Sequence, residues 1–112
     1  MTEKLYKPLL IDSITAAEDL TKQRFVDFTG AICKSGEKAY GICDVDTDSG
    51  QLAPIAVFGV LLVEAGDTIA VGDSISSDDE GKAVVTADGA EINGYALDEG
   101  VSGGTIRILK GN

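Results

Sequence analysis

The chain has 112 residues, a formal net charge of −10, 44% hydrophobic residues and no histidine. That length makes one domain, able to bury something over ~60% of its unfolded surface without metals or disulfides, and so apolar a composition excludes a disordered chain. No nucleophile–base pair stands in motif form, and an acidic body repels phosphate backbones and anionic lipids, so catalysis, nucleic acid and membrane are set aside and the chemistry must lie in surfaces.

The charge is unevenly placed. Residues 1–43 carry six basic and six acidic groups, whereas residues 44–112 carry three basic and thirteen acidic, hence the entire imbalance. The neutral N-terminal third is therefore the place for contact with another protein. Residues 1–10 have no clear period and read as an extended arm, which we bound at 1–14, ahead of a domain over 15–112. Thr15 and Glu18 have capping-box spacing, which predicts one short helical turn before Phe25-Val-Asp-Phe28 turns to strand.

From Phe25 onward, runs rich in Val, Ile and aromatics alternate with Gly-Asp, Asp-Gly and Gly-Gly pairs. Such punctuation describes β-structure. Strands are expected at 25–33, 39–45, 54–64, 68–76, 82–87, 92–98 and 105–110. Their spacing suits a small all-β barrel or sandwich of about seven short strands. Fourteen glycines agree with frequent tight turns. Cys33 and Cys43 flank a turn centred near Gly36-Glu37, which sets Cys33 opposite Tyr40 rather than Cys43 and favours two buried free thiols over a disulfide.

Three stretches invite chemical readings. Asp44-Val-Asp46-Thr-Asp48 resembles the start of a calcium loop, but the sixth position is Ser49 and the twelfth is Ile55, where glycine and glutamate are needed. It reads as a solvated hairpin loop, and no metal is assigned. Ser77-Asp-Asp-Glu-Gly81 places adjacent acids on a turn, where they face water. Gly100-Val-Ser-Gly-Gly104 is glycine-rich, yet no Lys-Ser/Thr or helix follows it.

The run at 54–63 is apolar on both parities: Ile55, Val57, Leu61 and Val63 on one, Ala56, Phe58, Val60 and Leu62 on the other. A half-exposed antiparallel strand alternates apolar with polar. One face fills the core, and the second needs a cover, either another layer of the same chain or a neighbouring subunit; we expect a sister subunit on Phe58, Val60 and Leu62.

Glu64-Ala-Gly-Asp-Thr-Ile-Ala-Val-Gly-Asp73 looks like the Gly-Asp stretch of biotinyl and lipoyl carrier domains. Those need a lysine at a hairpin tip upstream, whereas Lys82 lies downstream. A carrier or accessory β-domain of an enzyme complex is the alternative function. A free-standing β-domain binding a small ligand or carbohydrate is a third class, though such pockets usually offer aromatic platforms, and this chain has three Tyr, three Phe and no Trp.

Taken together, Thr15 to Lys110 resembles the small capsid decoration, or cement, proteins of tailed bacteriophages. The likeness rests on Thr15-Ala-Ala-Glu-Asp-Leu-Thr-Lys-Gln-Arg-Phe-Val-Asp-Phe-Thr-Gly-Ala31, on Ala39-Tyr-Gly-Ile42 with Ala56-Val-Phe-Gly-Val-Leu-Leu62, and on Gly66–Asp73 with Ile92–Leu97 and Gly104–Leu109. The resemblance implies a non-enzymatic virion protein without cofactors, commonly trimeric, on the outer face of an expanded capsid and made in the host cytoplasm. It would clamp adjacent subunits of the major capsid protein. Leu5, Tyr6, Pro8, Leu9 and Leu10 are the expected capsid-contact arm.

Overall fold

A computed structural model describes residues 6–111. Among them are eight strands and no helix: β1 (Lys7–Thr15), β2 (Phe25–Val26), β3 (Gly41–Cys43), β4 (Leu52–Glu64), β5 (Ser74–Ser77), β6 (Ala83–Val85), β7 (Gly94–Ala96) and β8 (Thr105–Lys110). Seven of them run in the order β2-β3-β4-β8-β7-β5-β6, and every pairing is antiparallel. The two ends of this path approach each other. Phe25 N–H donates to Gly81 O at 2.7 Å and Gly66 N–H to Ala83 O at 2.8 Å, so the sheet curls into a nearly closed small barrel.

β4 organises the molecule. At Ile55 and Ala56 it has β1 on one edge and β3 on the other. At Gly59 and Val60 it has β1 on one edge and β8 on the other. Its continuous apolar run has a separate cause: along part of its length one face looks into the barrel and the other into a second core. Phe25, Ile42, Ala56, Leu61, Val63, Ile75, Ile106 and Ile108 fill the barrel. Ala16, Leu20, Val26, Cys43, Ala53, Ile55 and Val57 form a second core outside it. Alternation sends Phe25, Ile42 and Ala56 inward and their neighbours Val26, Cys43 and Ile55 outward, as a period of two requires.

The structure corrects the expectations in four places. The segment after Thr15 forms no helical turn. Instead the Glu18 carboxylate accepts from Ile32 N–H at 3.0 Å, and Leu20 N–H donates to Thr47 O at 2.8 Å. The run at 68–76 is strand only over Ser74–Ser77, because Asp67 and Asp73 turn the chain by accepting from Thr68 N–H and Ala70 N–H. Cys33 faces Phe25, whose carbonyl accepts its N–H at 3.0 Å, rather than Tyr40, whose N–H goes to Val26 O. Finally, the second face of Ala53 to Val57 is covered by this chain's own Ala16, Leu20 and Val26, so no sister subunit is needed there. Cys33 and Cys43 are buried free thiols.

Candidate functional site

From Lys7 onward the segment expected to be an extended arm is a strand laid along β4. Lys7 pairs with Val60, Pro8 with Gly59, Leu10 with Phe58, and Ile11 to Thr15 with Ala56 to Leu52. Most of its side chains face solvent. This explains why it shows no apolar period: its attachment is made mainly by the backbone ladder, and few of its side chains enter the core.

The ladder slips twice, between Pro8 and Leu10 and between Leu10 and Ile11. Leu9 is the extra residue, and it is 84% exposed. A bulge re-aims a side chain and sharpens twist. Gly59 permits this one: its φ is +116°, and a Cβ there would lie 2.8 Å from Leu9 N. A β-branched or bulky side chain would have to expel the bulge or the strand.

Two phenol–carboxylate bonds fasten β1 at its ends. Tyr6 donates to Asp44, and Tyr40 donates to Asp12 at 2.6 Å. Burial first, then the bond to Asp44 and its charge, raises the Tyr6 phenol above its ordinary range. For Tyr40 the bond to Asp12 is the main cause of an upward shift. Tyr6 thus serves its own fold, packing against the barrel core.

The second expected set lies beside the first. Phe58, Val60 and Leu62 alternate along the outer side of β4 and are half-buried, between the buried Val57, Leu61 and Val63. Strand register puts Val60 beside Lys7 on one edge and Leu109 on the other, with Tyr95 beyond Leu109. The arm and the expected subunit face are one continuous surface. Leu5 lies outside the described residues.

Sequence reasoning missed Tyr95, Leu109 and Phe28, which are 50%, 50% and 65% exposed. The available signal was the outward parity of β8, where Thr105 and Arg107 are followed by a leucine. Phe28 stacks at 5.3 Å on Tyr40. Nearby, Phe58 and Lys110 line a hollow of about 180 Å³, with the Lys110 amine 5.8 Å from the Phe58 ring centre. Burial, with a smaller push from Lys38, lowers the Lys110 amine to about 8.

The acidic motifs serve local structure. Asp46 accepts from Lys22 N–H, and Asp78 accepts from Glu80 and Lys82 N–H at 2.8 and 2.9 Å. Among the described residues no group of three His, Cys, Asp or Glu could hold a metal ion. Lys82 pairs with Glu64 and Glu80, each at 3.6 Å. Burial raises the Cys33 thiol to about 11 and also raises Cys43, which keeps both protonated and unreactive at neutral pH.

No curated protein matches the chain. Among solved structures it is similar to the base of the N-terminal part of head fiber gp8.5 in bacteriophage phi29. The TM-score is 0.77 at 21% identity, over 91% of this chain and 93% of that one. At that identity the likeness shows a shared fold. The family model described as phage cement protein matches residues 8–110, nearly the whole chain. This chain therefore belongs to the phage cement protein family, structural proteins associated with the capsid.

Proposed function

We propose that this protein binds the outer capsid surface and stabilises the expanded head by clamping adjacent major capsid subunits. It does so as a homotrimer and without enzymatic activity, nucleic-acid contact or membrane contact. It would be made in the host cytoplasm and carried on the virion. The observation that carries the reading is β1: a nine-residue strand with exposed Leu9, Leu10 and Ile11, paired with β4 alone among the described residues.

An open strand edge is a template for another chain. Pro8 has no N–H to give and the Leu9 bulge twists the edge away, so the flat stretch runs from Ile11 to Thr15. A capsid strand adds along that stretch. Leu9 and Leu10, beside it, supply apolar anchors, Leu5 and Pro8 set the approach, and Tyr6 contributes by holding the start of β1 to the barrel. Phe58, Val60 and Leu62 face the sister subunits. Three such edges on one trimer raise avidity by ~10²–10⁴ over a single edge, provided all three engage at once.

Co-sedimentation with purified expanded capsids tests this. Removing residues 2–10, or replacing Leu9 and Leu10 by Asp, should abolish binding while the barrel stays folded. Unchanged capsid occupancy by either variant rejects the clamp through β1.

A further inference from the structure

Two basic residues border the outer face of β4, β8 and β7. Lys7 pairs with Val60, and Lys38 shares a hollow of about 410 Å³ with Tyr95 and Leu109. Glu91 is the carboxylate in that hollow. The face is thus apolar at its centre, along Val60, Leu109 and Tyr95, and cationic at its border.

The opposite end of β8 has the complementary pattern. Ile69 and Gly100 bridge two loops, and each loop carries an exposed valine at its tip, Val71 at 63% and Val101 at 65%. Around them stand Asp67, Asp73 and the exposed Glu99. The nearby cations are already engaged: Arg24 and Lys82 with Glu64, and Arg107 with Asp98 at 2.9 Å. This end is an apolar knob bordered by acid.

We propose that the Val71–Val101 knob of one copy docks on the Val60–Leu109–Tyr95 face of the next. This deepens the homo-oligomer reading above and rests on it. Valine contacts exclude water at the centre, and Glu99 meets Lys38 or Lys7 at the border. Like faces meeting across a two-fold axis would oppose cation to cation, so the contact is head-to-tail. Head-to-tail contacts close into rings when the rotation allows. The partner is a second copy because the acid border and the cation border are supplied by one chain, at opposite ends of one strand.

Complementation tests the geometry on free protein, without capsids. A knob variant, Glu99→Gln with Val101→Ser, and a face variant, Lys7→Gln with Leu109→Thr, should each weaken self-association by about tenfold or more. Mixed in equal amounts, they retain one intact contact per pair, so native mass spectrometry should show hetero-dimers and no closed ring. The knob substitutions lie on an exposed loop, so that variant stays folded and informative even if the face variant is lost. If the wild type self-associates but the knob variant keeps the wild-type mass, or the mixture forms no hetero-dimer, this contact is overturned and the oligomer stands. A wild type that remains monomeric at millimolar concentration overturns both.

Discussion

Single residues divide sharply by which side of β4 they serve. Leu61 and Ile108 are fully buried, and truncating either to Ala should cost about 2–5 kcal/mol in urea unfolding, from lost transfer energy and the cavity left behind. Leu9→Ala, at a site open to solvent, should change stability by less than about 0.5 kcal/mol. Lys110 gives a pH test. Its amine titrates at about 8 when folded, below the ordinary lysine range of about 10.4. Between those values the unfolded chain holds more protons, so this residue makes stability rise with pH across that window. Urea unfolding of Lys110→Met should lack that contribution. Its stability relative to the wild type should be greatest below pH 8 and shrink toward pH 10.

At the scale of elements, β1 is the piece that can come away. No residue from Lys7 to Thr15 belongs to either buried cluster; Ile14 only packs against the second. Gly59→Val should strain a left-handed backbone position and strike the bulge, costing about 1–3 kcal/mol. Hydrogen exchange should then show amides of residues 7–15 losing protection while β8 keeps its own. Protection unchanged along β1 would show that the bulge does not need a glycine. The same elements show what was readable in advance. β4 announced itself because burial on both faces writes an uninterrupted apolar run, and β8 because Ile106 and Ile108 alternate with outward residues. β1 did not, since a strand held mainly by its backbone ladder imposes no period on its side chains. The capping-box spacing at Thr15 and Glu18 misled because that carboxylate is claimed by Ile32 N–H, fourteen residues away. Phe58, Val60 and Leu62 were found from parity, whereas their neighbours Leu109 and Tyr95 are joined to them only by strand register.

For the whole molecule, building the barrel depends on partners far apart in sequence. Phe25 meets Gly81, and Gly59 meets Lys110. Loop closure must precede those contacts, so refolding is expected in milliseconds to seconds, as for other β-domains dominated by non-local pairing. Stopped-flow refolding completed in microseconds would contradict this order of events.

The pairing of Lys7 and Lys110 at adjacent positions of β4 has a practical corollary. The first and last strands finish side by side, with one β4 backbone between them. A short polar linker could join residue 110 to residue 7, and new ends could be opened at Asp88-Gly89, an exposed turn where an added Cβ meets nothing. Such a circularly permuted chain should fold to the same barrel, and its urea unfolding curve should show one cooperative transition like that of the unpermuted chain.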